Sequence, residues 1–68
     1  MKDVEINTEY IKLGQLLKYA GVCSSGAEAK FIILEGDVTL NGVTEKQRGK
    51  KVVKGDIIET RGVSIKVV

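Results

Sequence analysis

The chain has 68 residues, with eleven Lys and Arg against nine Asp and Glu, no His, no Pro, no Trp and a single Cys. This length predicts one domain, residues 1–68, with a small core. Without His the commonest general base and metal ligand are both absent, and one Cys leaves no zinc site, so the composition predicts a binding module with no catalytic residues, metal or cofactor.

The first predicted element is a short strand at residues 3–6, where polar and apolar residues alternate. The next two residues, Asn7 and Thr8, offer a helix N-cap, and the apolar spacing becomes helical from Glu9. The first helix is therefore expected to start near Glu9. Its core face would consist of Tyr10, Leu13, Leu16, Leu17 and Ala20.

Glycine and serine mark the turn between the two predicted helices. Gly21 is expected to end the first helix in the left-handed conformation, with Val22 closing back on Leu17. Ser25 and Glu28 have the spacing of a capping box at the start of the second helix. That helix is apolar on two sides, and both sides are expected to be covered. The two sets are Ala29, Ile32 and Ile33, and Ala27, Phe31 and Leu34.

The remainder of the chain reads as strands and turns. Asn41-Gly42 after an alternating segment predicts a hairpin with a type I′ turn. A basic loop, residues 44–51, follows the hairpin. Further strands are predicted at residues 52–53, 57–59 and 63–68, and the last is a candidate exposed edge that pairs with another copy. The fold class is α+β, a two-helix hairpin packed on a small, mostly antiparallel sheet.

Positive charge is concentrated in two segments of the sequence. Residues 12–30 carry a net charge of +2 and residues 44–55 a net charge of +4, whereas the whole chain carries only +2. A basic patch on a nearly neutral domain is typical of proteins that bind polyanions. The alternative is a solvated, lysine-rich loop without a partner.

Signals for membranes and secretion are lacking in the sequence. No segment reaches the roughly 18 apolar residues of a membrane span, and the first five residues lack the apolar core of a signal peptide. The lone Cys23 has no partner for an internal disulfide and is expected to be a buried apolar residue. These features predict a cytoplasmic protein without a membrane or small-molecule partner.

Several motifs at fixed spacing resemble the S-four RNA-binding domain, named after the small-subunit ribosomal protein that carries it. They are Lys12-Leu13-Gly14-Gln15-Leu16-Leu17, Gly21-Val22, Ser25-x-x-Glu28-Ala29-Lys30, Gly36-x-Val38-x-Leu40-Asn41-Gly42 and Gly55-Asp56-Ile57. The resemblance covers about residues 10–60. The run from Arg48 to Lys51 is most similar to the short, free-standing bacterial members. The resemblance implies the two-helix alpha-L motif and a non-enzymatic, RNA-binding function.

The resemblance also implies which residues contact RNA. The candidates are Lys12, Ser25, Lys30, Lys46, Arg48, Lys50 and Lys51, with Lys18, Tyr19 and Asn41 as further possibilities. A structural role is open for several of them: Ser25 as a helix cap, Asn41 as a turn residue and Tyr19 as packing over the helix edge. Two departures, Gly14 where many members carry Asp and Gly26 where many carry Arg, suggest weaker binding or a different RNA.

Two functional hypotheses follow. The first is binding of structured RNA, ribosomal or ribosome-associated, through phosphate and shape contacts. It requires Lys12, Lys30, Arg48, Lys50 and Lys51 to lie on the same side of the molecule. The second is a protein-interaction module whose basic loop meets an acidic protein surface.

Overall fold

Two helices and seven strands follow one another along the chain. The computed structural model describes all residues from 1 to 68. The strands are β1 (Lys2–Val4), β2 (Ile11–Lys12), β3 (Val38–Leu40), β4 (Val43–Thr44), β5 (Lys51–Val52), β6 (Ile57–Thr60) and β7 (Val63–Val67), and the helices are α1 (Leu13–Tyr19) and α2 (Gly26–Leu34). Neither helix is long and apolar enough to cross a membrane.

The strands form one larger and one smaller sheet. Five strands pair in the order β1-β7-β6-β3-β4, and β2 pairs with β5 in a separate antiparallel ladder. All neighbours in the larger sheet are antiparallel except β1 and β7, which run parallel. The predicted class, a helix pair on a mostly antiparallel sheet, is confirmed.

Two strand predictions need correction. The first strand is Lys2–Val4 and not residues 3–6, because its register is set by pairing with β7 rather than by the local alternation. The last strand is not an edge, since β7 lies between β1 and β6. The edges of the larger sheet are β1 and β4.

The start of α1 differs from the prediction. Residues 7–9 form a bend, the Thr8 hydroxyl donates to the Tyr10 carbonyl over 2.9 Å, and the helix begins only at Leu13. Tyr10 is 40% exposed and lies outside the core. The helical spacing of Tyr10 was therefore misleading, because Ile11 and Lys12 leave the helical path to pair with β5.

The end of α1 is as predicted. Gly21 has a φ of +79°, in the left-handed region that glycine tolerates. The Gly21 N–H donates to the Lys18 carbonyl and the Val22 N–H to the Leu17 carbonyl, both over 3.0 Å. These two bonds are those of a Schellman motif, and they turn the chain toward α2.

The start of α2 carries a modified capping box. The Ser25 hydroxyl accepts a hydrogen bond from the Glu28 N–H over 3.1 Å, as the spacing predicts. The Glu28 carboxylate, however, accepts from the N–H of Ser24 over 2.7 Å and from the Ser24 hydroxyl over 3.1 Å, rather than from Ser25. The return bond therefore reaches one residue further back than in the standard box.

Only one side of α2 is covered. Ala29, Ile32 and Ile33 are fully buried, whereas Phe31 is 59% and Leu34 55% exposed. The prediction that both apolar sides are covered is wrong, because α2 packs only by the side of Ala29, Ile32 and Ile33 and leaves its other apolar side exposed. The core contains fifteen apolar residues, and its largest fully buried members are Leu13, Leu16, Leu17, Ile32, Ile33, Val38, Val52, Ile58, Ile65 and Val67.

Candidate nucleic-acid interface

A hollow of about 250 Å³ lies where α1, the start of α2 and the basic loop meet. It is called the basic hollow below. No apolar residue lines it; its walls are formed by Lys12, Gly14, Gln15, Lys18, Gly26, Arg48 and Gly49. Three cationic side chains thus surround one concave surface, although they come from segments up to 36 residues apart in sequence.

Main-chain hydrogen bonds hold the basic loop against α1. The Leu13 N–H donates to the Lys50 carbonyl over 2.9 Å, and the Gly14 N–H donates to the Arg48 carbonyl over 3.0 Å. The N-cap residue Lys12 makes no side-chain capping bond. The loop carbonyls therefore cap α1, because the first N–H groups of a helix have no hydrogen-bond partners within the helix.

Gly14 permits a close approach of Arg48. A Cβ atom added at Gly14 would lie 2.7 Å from the Cγ of Arg48 and 3.4 Å from its Cδ. The stem of Arg48 thus lies flat against α1, and any side chain at position 14 would displace it. The Asp common at this position in the family has no space here, so Gly14 acts as a positioning residue for Arg48.

A like-charged pair adjoins the basic hollow. Lys12 and Lys51 lie directly opposite each other in the ladder between β2 and β5. The Lys51 Nζ lies 4.7 Å from the centroid of the Tyr10 ring, a cation–π contact. Tyr10 precedes Lys12 by two residues and so lies on the same side of the ladder. The Tyr10 ring therefore stabilises the charge of Lys51, which faces the charge of Lys12.

The cationic groups of this surface are not neutralised by the protein. Of all Lys and Arg side chains, only Lys2 donates a hydrogen bond within the chain, to the Ala20 carbonyl over 2.6 Å. The charged groups of Lys12, Lys18, Arg48 and Lys50 therefore have no partner, and the surface has a positive potential available to an anion.

The candidates on α2 and its flanks lie at its start, at its middle and beyond its end. Lys30 is exposed and follows Gly26 by one helical turn, so it continues the basic hollow along α2. Ser25 precedes Gly26 and caps the helix. Lys46 lies at the opposite end, where its Cε would be 3.6 Å from a Cβ added at Gly36. Since α2 has nine residues, about 13 Å separates its ends, and Lys46 stands apart from the other candidates.

Asn41 has a structural role. Its φ of +52° is the left-handed conformation of a type I′ turn, with Gly42 at +85°. The Asn41 side-chain amide donates to the Asp56 carboxylate over 3.0 Å, and its side-chain carbonyl accepts from the Ile57 N–H over 2.9 Å. Asn41 thus ties the hairpin turn to the turn before β6.

Tyr19 and Cys23 have contrasting surroundings. The Tyr19 ring is 67% exposed, so the expected packing over the helix edge is not found. Cys23 is buried in the core, as expected. Burial raises the pKa of the Cys23 thiol; Glu28 raises it further, and Arg61 opposes both.

Two residues of the basic hollow were not anticipated from the sequence. Gln15 and Gly49 line it beside the predicted cations. Gln15 lies three residues after Lys12 and three before Lys18, so the polar side of α1 was the available signal for it. Gly49 carried no signal, because its place depends on the docking of the loop against α1.

Comparisons with known proteins identify the family. The family model described as the S4 domain, the S-four domain named above, matches residues 4–68. The probable ribosome maturation protein RlbA of Bacillus subtilis is 42% identical over 59 residues, which cover 87% of this chain and 83% of that protein. The putative RNA-binding protein YbcJ of Escherichia coli K12 is 39% identical over 59 residues, covering 87% and 84%.

Structural comparison agrees with the sequence comparison. The solution structure of YbcJ from E. coli, described as revealing an alpha-L motif involved in RNA binding, has a TM-score of 0.78 and 35% identity, and the match covers 100% of this chain and 87% of that one. The alpha-L motif corresponds here to the pair α1 and α2 beside the docked basic loop. On this evidence the chain belongs to the S4 domain family.

Proposed function

We propose that the protein is a non-enzymatic RNA-binding protein that binds structured RNA, ribosomal or ribosome-associated, in the cytoplasm. The observation that carries the proposal is the basic hollow, in which Lys12, Lys18 and Arg48 converge without carboxylate partners. Three unneutralised cations on one concave surface suit a polyanion, since each phosphate contact releases counterions and so favours binding.

The geometry of the basic hollow favours phosphate recognition over reading of base sequence. A-form RNA keeps its major groove inaccessible to side chains, so duplex RNA is recognised through its backbone and shape. Arg48 offers a planar guanidinium suited to bidentate phosphate contacts, and Lys12 and Lys18 act as point charges. The docked loop holds Arg48 against α1 before binding, which lowers the entropic cost of association.

The relatives support the choice of RNA. YbcJ is named as a putative RNA-binding protein, and RlbA as a probable ribosome maturation protein. The name of RlbA is what supports a ribosomal partner.

A charge-matched pair of variants tests the proposal. The double variant Lys12→Ala/Arg48→Ala removes two cations of the basic hollow, and the control Lys54→Ala/Lys66→Ala removes two exposed cations outside it. Both changes lower the net charge from +2 to 0. Binding to ribosomal RNA fragments is measured across a salt series. The first variant should bind at least tenfold more weakly, with a salt slope reduced by about one per lost phosphate contact.

Equal losses in the two variants would show that overall charge, and not the basic hollow, drives binding. The parent should also retain ribosomal RNA when it is isolated from cells by crosslinking. If the partners recovered with the protein are instead other proteins, and if these stay bound after ribonuclease treatment, the protein-interaction hypothesis replaces the RNA-binding hypothesis.

A further inference from the structure

A second hollow lies beside α1, next to the residues that precede this helix. It has a volume of about 240 Å³, and its walls are formed by Glu5, Ile6, Asn7, Thr8, Ile11 and Tyr19. The residues before α1 create it, because the chain bends at residues 7–9 instead of extending the helix. Pockets for drug-sized ligands begin at about 300 Å³, so this hollow suits a smaller group, such as one heterocyclic ring system.

The second hollow is joined to the basic hollow along the surface of α1. A connecting depression is lined by Ile11, Gln15, Lys18 and Tyr19. It shares Gln15 and Lys18 with the basic hollow, and Ile11 and Tyr19 with the second hollow. Since Gln15 and Tyr19 are one helical turn apart, their Cβ atoms are separated by about 5–6 Å. A continuous path therefore leads from the cations to the Tyr19 ring.

The chemistry of the second hollow differs from that of the basic hollow. Half of its lining residues are apolar, and one, Tyr19, presents an aromatic ring that is 67% exposed. Glu5 contributes a carboxylate, which repels phosphate but accepts hydrogen bonds from amino and imino groups. The Thr8 hydroxyl uses its hydrogen on the Tyr10 carbonyl, so it is left as an acceptor. An aromatic surface edged by acceptors suits a nucleobase.

We propose that the second hollow binds an unpaired base of the RNA whose phosphates lie in the basic hollow. The base stacks on Tyr19 and Ile11, and the phosphate beside it contacts Lys18. This inference rests on the proposed function and narrows its substrate class: the target is a helix with a bulged or terminal unpaired nucleotide, not a perfect duplex. Stacking on an aromatic side chain is a common way for proteins to hold an unpaired base.

Two RNA hairpins of the same stem test the proposal, one fully paired and one carrying a single bulged 2-aminopurine. The parent protein should bind the bulged hairpin at least about fivefold more tightly, the factor that corresponds to the lower end of measured base–aromatic stacking. Binding should also change the fluorescence of 2-aminopurine as the base moves onto the ring. Tyr19→Ala should lose both effects, and Tyr19→Phe, which keeps the ring, should retain both.

The outcomes separate this inference from the proposed function. If the parent binds both hairpins equally, with steep salt dependence, the base site is refuted while RNA binding through the basic hollow stands. The base site is also refuted, and RNA binding through the basic hollow stands, if Tyr19→Ala weakens the binding of both hairpins to the same extent. If the parent binds neither hairpin nor ribosomal RNA fragments, both proposals fail. Unfolding curves of the two Tyr19 variants should match that of the parent, because the ring is largely exposed.

Discussion

At the scale of single residues, the glycine at position 14 is expected to affect RNA binding more than stability. Replacing it by Ala introduces a better helix former into the first turn of α1, but the new Cβ would lie 2.7 Å from the Arg48 Cγ. We expect Gly14→Ala to fold with nearly unchanged stability, since the helix gain offsets the displacement of Arg48. Its RNA affinity should fall several-fold, because the guanidinium moves out of the basic hollow. Urea unfolding and RNA titration measure the two effects separately.

Gly26→Ala is the matched control for Gly14→Ala. Gly26 lines the same hollow, but a Cβ there would meet nothing within 4 Å. This variant should gain the helix propensity and keep its RNA affinity. If Gly14→Ala also kept full affinity, the tight packing of Arg48 against α1 would have no role in binding.

Asn41 belongs to one of the family motifs, and its role in this structure is to stabilise the fold. Its side chain bonds to Asp56 and Ile57, and its backbone occupies the left-handed region. Asn41→Ala should destabilise the protein by about 1–3 kcal/mol through the lost bonds, and by roughly 1 kcal/mol more through backbone strain. Asn41→Gly should lose only the bonds. Urea unfolding of both variants checks the difference. RNA affinity measured well below the unfolding transition should be unchanged; a selective loss of affinity would instead make Asn41 an RNA contact.

At the scale of elements, the cap of α2 contributes a pH-dependent stability. Hydrogen bonds to Glu28, first from the backbone N–H of Ser24 and then from its side chain, lower the pKa of this carboxyl below its ordinary value of 4.5. A lowered pKa in the folded state stabilises the protein above the unfolded-state pKa, and this stability is lost as the pH falls through 4.5 and below the folded-state pKa. Glu28→Gln should therefore be less stable than the parent at pH 7.

The difference between Glu28→Gln and the parent should shrink as the pH is lowered below 4.5, because the parent carboxyl then progressively takes up a proton. Urea unfolding at pH 7, 5 and 3 measures it. Comparing the two proteins at each pH removes the contribution of the other carboxyl groups, which both share. A constant difference across this range would mean that the charge of Glu28 does not contribute to the cap.

The elements that were predicted correctly from the sequence are those that depend on residues close together in the chain. The Ser25 cap, the Gly21 helix end and the Asn41-Gly42 turn were predicted because each depends on residues within a few positions. The start of α1 was not, because its N–H groups bond to carbonyls of Arg48 and Lys50, some 35 residues away. The parallel pairing of the first and last strands depends on equally distant contacts, which local alternation does not reveal.

The candidate site shows the same division. The cations were identified from the charge distribution and the family resemblance, and Lys12, Lys18 and Arg48 do lie together. The resemblance grouped Lys46 with these cations, but in the structure Lys46 lies beside Gly36. That position depends on how the loop packs in three dimensions, which the sequence motifs do not show. The second hollow was also missed, since Asn7 and Thr8 were predicted to cap a helix that starts near Glu9. The open side of α2, with Phe31 exposed, was also missed, because helical periodicity does not show which of two apolar sides is packed.

At the scale of the whole molecule, two like charges face each other beside the proposed RNA site, and their repulsion lowers the stability of the fold. Lys12 faces Lys51 across one ladder, whereas Lys66 faces Asp3 across the parallel pair of the larger sheet. Like charges directly opposite each other in a ladder destabilise it, and opposite charges stabilise it, by about 0.2–1 kcal/mol. The repulsive pair borders the basic hollow and the attractive pair lies outside it. A bound phosphate backbone would remove the repulsion.

The variants Lys12→Gln and Lys66→Gln test this arrangement, because Gln keeps most of the stem and removes the charge. Lys12→Gln should raise the free energy of unfolding by about 0.2–1 kcal/mol at low salt and weaken RNA binding. Lys66→Gln should lower the stability slightly and leave binding intact. The gain from Lys12→Gln should shrink at 0.5 M salt, since exposed charges are screened there. Urea unfolding at both salt concentrations, together with RNA titration, measures these effects. A loss of stability in Lys12→Gln at low salt would show that the charge of Lys12 does not destabilise the ladder with Lys51.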